Sequence, residues 1–244
     1  MQIQISILHF LFKYDNFLYM EASMCKKIIL DENSESIKYL SKKDQHLKIL
    51  FDLVGEISYT LYTDSYKFLV KTIIGQMLSN KVSDIINNRL SNLCNNNIEP
   101  RTIIKLPHSK LRNIGISNSK IQYIMNLTNA VLNNEINFDS FSTKNNAEIE
   151  TELQKIKGIG KWSSKMYLIF VMGRNDVLPY EDMAFIQGYS WLYNTNKTDK
   201  KSIISKCKKW GQYSSIASRY LYKALDLGYT KIKFSECKRE SKFQ

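Results

Sequence analysis

Proline and glycine are scarce in this chain, which contains 3 Pro and 9 Gly among 244 residues. Strands need frequent turns in order to pair, and turns draw on these two residues, so their scarcity leaves little room for a β-rich fold. Apolar residues instead recur at spacings of three and four, which is typical of amphipathic helices. The sequence therefore predicts an all-α protein.

Cysteine is sparse and dispersed as well. The 4 cysteines, Cys25, Cys94, Cys207 and Cys237, include no closely spaced pair. A zinc knuckle or a clustered iron–sulfur loop needs such pairs, so both kinds of site are excluded. We expect reduced thiols and no cofactor.

Long hydrophobic runs are missing too. The apolar opening, residues 3–19, is interrupted by Lys13 and Asp15 and lacks a basic leader. We expect an intracellular protein with no membrane partner, cytoplasmic and nucleoid-associated if bacterial. Either this opening is an extra strand or helix on the core, or translation starts at Met20 or Met24 and residues 1–23 are not part of the protein.

Acidic residues are few relative to basic ones, at 23 Asp and Glu against 35 Lys and Arg, for a net charge of +12. This excess favours a polyanionic partner, above all nucleic acid. A biased genome that enriches Lys and Asn produces the same excess, so the motifs must decide between the two explanations.

The apolar spacing predicts a series of helices without a long linker or an internal repeat. These helices cover residues 37–54, 66–78, 80–93, a short one around 103, one ending at 115, 118–131, 147–156, 162–172, 182–193, 202–210 and 214–225. We expect residues 37–230 to form one domain of two lobes, with 66–173 in lobe one and 37–65 plus 180–230 in lobe two. Residues 1–36 would be an N-terminal extension and 231–244 a basic tail.

The segment LQKIKGIGKWSSKMYLIF, residues 153–170, predicts two helices joined by a tight turn at Gly158, Ile159 and Gly160. Glycine makes such a turn at low cost, and Ile159 fills the space between the helices. Backbone N–H groups at the start of the second helix favour an anion, and nearby Lys161 and Lys165, with Lys157, favour a DNA phosphate. A GxG turn also occurs in ordinary helix connections, so this motif alone leaves both interpretations open.

Asp182 follows Pro179 in VLPYEDMAF, at the predicted first turn of a helix. A carboxylate there is stabilised by the helix N-terminus, which suits a functional anion. Asp is also a common helix cap, and Glu181 and Asp176 compete for any functional role. From the residues alone, a cap is the favoured interpretation.

Five ordered segments resemble the helix-hairpin-helix superfamily of DNA base-excision glycosylases, in particular alkylpurine (DNA-3-methyladenine) glycosylases of the AlkA type. The segments are FLVKTIIGQMLSNKVSDIINNRL, LRNIGISNSKIQYIMNLTNAV, LQKIKGIGKWSSKMYLIF, VLPYEDMAF and WGQYSSIASRYLY. They run from about residue 68 to 222. Because the residues before 37 are too few to form the N-terminal sheet domain of the AlkA type, we expect a compact version that consists of the catalytic domain.

The resemblance implies a two-lobed all-α fold in which a cleft between the lobes holds an extruded nucleotide. Asp182 takes the place of the essential catalytic acid, which shifts the interpretation from cap to catalyst. Gly158, Ile159, Gly160, Lys161 and Lys165 would bind the DNA backbone, and the hairpin carbonyls would hold a monovalent ion. We assign the loop residues Gln76 and Met77 to the gap left by the extruded base, although Met77 also suits the end of a core helix.

The implied reaction is hydrolysis of the N-glycosidic bond of an alkylated purine in double-stranded DNA. The predicted base pocket is aromatic and contains Trp162, Tyr180, Trp210 and Tyr213, although the last two equally suit packing of the lobes. Trp162 stands where strand-cutting relatives carry lysine, so we expect a monofunctional enzyme, acting as a monomer, that leaves an abasic site.

Two alternatives remain at this point. One is a glycosylase for oxidised or mismatched bases, which the missing lysine and the lack of a cysteine cluster disfavour. The other is a non-catalytic DNA-binding protein that keeps the hairpin and has no need of Asp182.

Overall fold

The computed structural model describes residues 27–240 of the chain. The predictions for residues 1–23, the thiol of Cys25 and the last residues of the basic tail lie outside this range. Within it, thirteen α-helices account for most of the structure, so the all-α prediction is confirmed. The helices are α1 Glu35–Lys43, α2 Gln45–Val54, α3 Ser65–Gly75, α4 Asn80–Leu93, α5 Pro100–Ile103, α6 His108–Asn113, α7 Asn118–Leu132, α8 Asn146–Gln154, α9 Lys161–Phe170, α10 Met183–Tyr193, α11 Lys200–Cys207, α12 Ser214–Asp226 and α13 Phe234–Glu240.

The helical spacing does not predict α13, which lies in the predicted basic tail, nor a small antiparallel sheet. It pairs β1, Ile28–Leu30, with β2, Ile57–Tyr59, so that Ile28 lies opposite Tyr59. Three-residue strands are too short to show an alternating pattern that separates them from a loop.

The predicted helix over 37–54 is two helices. Asp44 separates them, because its backbone is extended (φ −145°) and its side chain accepts a hydrogen bond from the His46 N–H at 3.0 Å. An aspartate that bonds nearby backbone amides favours a helix start over a helix interior. The apolar face is preserved across the break, since Leu40, Leu47 and Leu50 are fully buried.

The chain divides into two compact units. Unit one is the continuous segment Tyr62–Gly173, from α3 to α9, and the described part of unit two consists of residues 27–61 and 174–240. In unit one, Phe68 and Phe141 pack edge to face around the buried ring of Tyr167. The Tyr66 hydroxyl and the Thr128 hydroxyl form a buried hydrogen bond of 2.8 Å that ties α3 to α7.

Unit two is built around α12, in which residues 214–222 are all buried. Gly188 of α10 faces α12 so closely that an added Cβ would lie 3.0 Å from the Leu221 Cβ. On another face, the rings of Phe51 and Tyr220 meet edge to face with centroids 4.5 Å apart. The Tyr220 hydroxyl donates to the Leu30 carbonyl at 3.2 Å, which ties the small sheet to the same helix.

Three cysteines, Cys94, Cys207 and Cys237, are buried and form no disulfide. In residues 27–240 there is no group of His, Cys, Asp and Glu side chains suited to hold a metal ion. No helix in this range combines the length and apolar character needed to cross a membrane.

Candidate functional site

The hairpin of unit one joins α8 to α9 by a turn that requires glycine at its first position. Gly158 has φ +113°, and a Cβ placed on it would lie 2.3 Å from the Tyr123 Cβ. Ile156 and Ile159 are buried on either side of it, and the Ile159 N–H donates to the Ile156 carbonyl at 3.0 Å. The turn is therefore compact and packed directly against α7.

The second glycine, Gly160, lies at the start of α9 and, unlike Gly158, has neither a positive φ nor a close neighbour. Gly160 has φ −102°, and no atom lies within 4 Å of an added Cβ. Its carbonyl accepts the first helical hydrogen bond, from the Ser164 N–H at 3.0 Å. The amides that precede this bond belong to a helix N-terminus, which is the arrangement that binds phosphate.

The lysines around this N-terminus differ in exposure. Lys157 and Lys161 are exposed, whereas Lys165 is buried with 7% of its surface accessible. This burial, one turn into α9, does not support the assignment of Lys165 to the DNA backbone, which stays a prediction. Lys157 and Lys161 remain candidates for a phosphate contact.

The loop after α3 is fastened to the hairpin by Gln76. Its amide nitrogen donates to the Gly158 carbonyl at 2.9 Å and lies 3.3 Å from the Ser163 hydroxyl. Met77 follows in a left-handed conformation, with φ +58°, and is 76% exposed. The predicted helix over 66–78 thus ends at Gly75, and Met77 is not a core residue.

A second residue, Lys120 of α7, holds the same loop. Its ammonium group donates to the carbonyls of Ile74 and Gln76 at 2.7 and 2.6 Å. These are carbonyls at the C-terminus of α3, where a positive charge is favourable. Burial lowers the pKa of Lys120, and the two carbonyls compensate for part of the water that it loses.

The hairpin carbonyls are already engaged by side-chain amides. The Asn126 amide donates to the Lys157 carbonyl at 3.0 Å, and Gln76 occupies the Gly158 carbonyl. A cation at these two oxygens would share them with N–H donors, so the predicted monovalent ion receives no support here and stays a prediction.

Asp182 lies in unit two and caps α10. Its Oδ1 accepts a hydrogen bond from the Phe185 N–H at 2.8 Å, and its own N–H donates to the Pro179 carbonyl at 2.9 Å. The residue is 3% exposed, which is less than the sequence predicts for an acid facing an open cleft. The helix N-terminus stabilises negative charge on this buried carboxylate.

The surroundings of Asp182 contain a buried cation and a buried phenol. Arg219 is 2% exposed, and its guanidinium carbon lies 3.7 Å from the ring centroid of Tyr59. Burial lowers the pKa of Arg219 to about 10, so the group stays protonated at neutral pH. Burial raises the pKa of Tyr222 well above its usual value, and the Asp182 carboxylate raises it further while Arg219 opposes the rise.

The four predicted pocket aromatics divide into two kinds. Trp210 is fully buried, its indole N–H donates to Asp44 at 3.1 Å, and its ring meets Phe185 edge to face. It is therefore a core residue and presents no ring to a base. Trp162, Tyr180 and Tyr213 are half-buried, and the Lys200 ammonium lies 4.8 Å from the centroid of Tyr180.

The residues that support these groups were not predicted from the sequence. Lys120 and Tyr123 act through contacts with residues distant in sequence, and helical spacing contains no signal for such contacts. Arg219 offers a signal, because it interrupts the otherwise small and apolar run from Ser214 to Tyr222. A lone charge on the buried face of a helix needs a partner, and Tyr59 and Tyr222 contribute to its electrostatic environment.

Known proteins are similar to this chain over most of its length. DNA-3-methyladenine glycosylase 1 of Schizosaccharomyces pombe is 29% identical over 217 residues, which cover 83% of this chain and 95% of that protein. The crystal structure of a DNA-3-methyladenine glycosidase from Bacillus halodurans superimposes with a TM-score of 0.74 at 27% identity, covering 86% of this chain and 98% of that one. The Schizosaccharomyces pombe 3-methyladenine DNA glycosylase in complex with abasic DNA gives a TM-score of 0.73 at 28% identity, covering 79% and 97%.

A family model described as "HhH-GPD superfamily base excision DNA repair protein" matches residues 70–212, which is more than half of the chain. The matched range includes the Gln76 loop, the glycine hairpin and Asp182. The helix-hairpin-helix resemblance is thereby confirmed, and the chain belongs to the HhH-GPD superfamily of base excision DNA repair proteins.

Proposed function

We propose that the protein is a monofunctional DNA glycosylase that acts as a monomer on duplex DNA and removes alkylated purines of the 3-methyladenine type. The observation that carries the proposal is Asp182, a buried carboxylate at a helix N-terminus, within a chain that belongs to a base-excision family. The Schizosaccharomyces pombe DNA-3-methyladenine glycosylase 1 and the Bacillus halodurans DNA-3-methyladenine glycosidase align over nearly their whole length, which supports the alkylpurine assignment.

Asp182 would stabilise the transition state by its charge. Breaking the N-glycosidic bond builds positive charge on the sugar as the base leaves, and a nearby carboxylate lowers the energy of that charge. Removal from water strengthens the interaction, because the effective dielectric constant around a buried group is lower than that of water. The Phe185 N–H donates to one carboxylate oxygen, and we assign the negative charge of the carboxylate to stabilising the sugar and orienting the attacking water.

The leaving base sets the substrate class. An alkylated purine such as N3-methyladenine or N7-methylguanine already carries positive charge and departs without a proton donor. Half-buried Trp162, Tyr180 and Tyr213 are the aromatic candidates for stacking on such an electron-poor ring, and cation–π attraction contributes about 1 kcal/mol or more when desolvated.

The protein would bind DNA through the phosphate backbone, independently of the base sequence. The amides at the start of α9, with the exposed Lys157 and Lys161, suit the phosphate backbone. Met77, exposed at the tip of its loop, has the length and flexibility to fill the gap that an extruded base leaves. Trp162, at the position of the strand-cutting lysine, offers no amine for a covalent bond to the sugar.

The test is release of methylated bases from alkylated duplex DNA, identified by chromatography, for the wild type and the Asp182→Asn variant. Asparagine caps a helix about as well as aspartate, so this change removes the charge and preserves the fold. We expect the wild type to release 3-methyladenine and the variant to lose at least about 100-fold in rate, in the range seen when a stabilising group is removed from an active site.

Asp176→Asn is the matched control, because Asp176 is exposed six residues before Asp182 and its loss should leave base release intact. Equal release by the wild type and Asp182→Asn would contradict the catalytic assignment. Binding of methylated DNA without any base release would favour the non-catalytic alternative, and a covalent complex trapped by borohydride would refute monofunctional hydrolysis.

A further inference from the structure

A concave surface in unit two, remote in sequence from the hairpin, is lined by lysines and hydroxyls. It encloses about 700 Å³. Its lining residues are Tyr189, Tyr193, Thr195, Lys197, Lys201, Ser202, Ser205, Lys206 and Lys209. We refer to these nine residues as the lysine basin.

The basin follows from the periodicity of α11. Lys201, Ser202, Ser205 and Lys206 lie at spacings of one, four and five, so they share one face of the helix. The opposite face holds Ile203 and Cys207, which are buried in the core of unit two. One side of α11 thus anchors the helix while the other presents its polar groups to solvent.

The charges at the basin leave a positive excess. Lys209 forms an ion pair with the buried carboxylate of Asp44, at 3.0 Å. Asp199 lies at the rim, where its carboxylate is committed to the Ser202 N–H and hydroxyl. Within the described residues, Lys197, Lys201 and Lys206 have no carboxylate at ion-pair distance.

Tyr193 shapes the floor of the basin. Its hydroxyl donates to Asp44, so the ring is fixed in place, and the Lys206 ammonium lies 4.7 Å from the ring centroid. Lys209 lies 5.8 Å from the same centroid. The aromatic ring therefore lies near two ammonium groups, and the buried carboxylate pairs with that of Lys209.

We propose that the lysine basin is a second DNA-backbone contact, which binds phosphates independently of the hairpin amides. Lys201 and Lys206 are separated by about 7.5 Å along the helix axis, so their long, flexible side chains can reach two different phosphates of one strand. Lysine ammonium groups and serine hydroxyls are ordinary phosphate donors and require no particular base. The proposal rests on DNA as the substrate proposed above, but not on any catalytic step.

The test is binding of undamaged duplex DNA at several salt concentrations by the double variant Lys201→Gln/Lys206→Gln. Each phosphate contact releases a counterion, so removing two contacts should reduce the slope of log K against log salt by about 2 and weaken binding at low salt. Lys201→Arg/Lys206→Arg keeps both charges and should restore most of the slope.

Lys38→Gln/Lys42→Gln is the matched control, because these exposed lysines lie four residues apart on α1 of the same unit. This pair removes the same net charge and should leave the slope close to that of the wild type. Equal slopes for the two Gln pairs would overturn the proposal, since only the overall charge would then matter. Undamaged DNA undergoes no excision, so this result is independent of whether Asp182 is catalytic.

Discussion

The side chain of Gln76 is hydrogen-bonded to the carbonyl oxygen of Gly158, at 2.9 Å across 82 residues of sequence. The loop that presents Met77 is therefore joined to the turn proposed to grip the DNA strand. A base can be replaced in the stack only if the replacing side chain is held in a fixed position relative to the backbone. The Gln76 bond, together with Lys120, provides such a fixed position within unit one.

Met77→Ala should slow excision from duplex DNA by about 10-fold or more and affect a single-stranded substrate much less. The duplex must be opened and its gap filled at a cost of a few kcal/mol, whereas a single strand has no such cost. The measurement is the ratio of excision rates on the two substrates. An unchanged ratio would contradict the assignment of Met77 to the gap, and exposed Ile104→Ala in the same unit serves as the control.

Lys120→Met should lower the ratio of excision rates on duplex and single-stranded DNA, although Met77 itself is unchanged. The substitution preserves the aliphatic stem but deletes two charged hydrogen bonds to the end of α3, which should also cost about 2 kcal/mol of stability. Excision rates and denaturant unfolding measure the two effects. The control is Lys110→Met, on the exposed surface of α6, which should change neither the ratio of excision rates nor the stability. If Lys120→Met lowers the stability but leaves the ratio unchanged, Lys120 does not position the loop.

Gly158→Ala should lower the stability of the protein, whereas Gly160→Ala should leave stability almost unchanged and weaken DNA binding. The first change places a Cβ against Tyr123 at a positive φ and should destabilise the protein by at least about 2 kcal/mol. The second change adds a Cβ with no atom within 4 Å, so it should leave stability within about 0.5 kcal/mol of the wild type. It should weaken DNA binding, because the added methyl group lies at the helix N-terminus proposed to bind phosphate. Thermal unfolding and DNA titration separate the two variants, and similar unfolding temperatures would contradict the prediction.

Asp44→Asn should reveal a pH-dependent contribution to stability. Burial alone would raise the pKa of Asp44, but hydrogen bonds from Tyr193, Trp210 and Lys209 outweigh it, so the folded pKa lies below the ordinary 3.8. A lowered folded pKa stabilises the protein above the unfolded pKa, and this stabilisation is lost as the pH falls through the folded value.

The variant should therefore be less stable than the wild type by about 2 kcal/mol at pH 7, and the difference should shrink below pH 3.8. Denaturant unfolding between pH 7 and pH 3 measures this difference. A difference that is constant with pH would exclude the charge of Asp44 as its source. Asp52→Asn, exposed on α2, is the control.

Much of the fold could be predicted from local sequence patterns. Ser117 accepts a hydrogen bond from the Lys120 N–H at the start of α7, and Asp182 does the same at α10, both as helix-capping chemistry predicts. The hairpin was predicted because two helical patterns meet at glycine, and Gly158 occupies a conformation that favours glycine. These features depend on residues within a few positions of each other.

The remaining features depend on contacts between distant residues. Nothing near Lys165 or Trp210 in the sequence distinguishes a buried side chain from an exposed one, so the sequence did not establish that either residue is buried. Asp44 was included in a single predicted helix because its partners Tyr193 and Trp210 come 149 and 166 residues later, and Lys209 directly precedes Trp210. Periodicity identifies a buried face but not the partner that covers it.

The discontinuity of unit two has a consequence for how the protein is made. The described part of unit one is a single stretch of chain, whereas the Tyr220 hydroxyl reaches the Leu30 carbonyl across 190 residues. A growing chain exposes all of the glycine hairpin long before the helix that completes unit two leaves the ribosome. Truncated products would thus retain the turn proposed to bind the DNA strand while lacking the folded surroundings of the Asp182 carboxylate, and α12 is the segment on which completion of unit two depends.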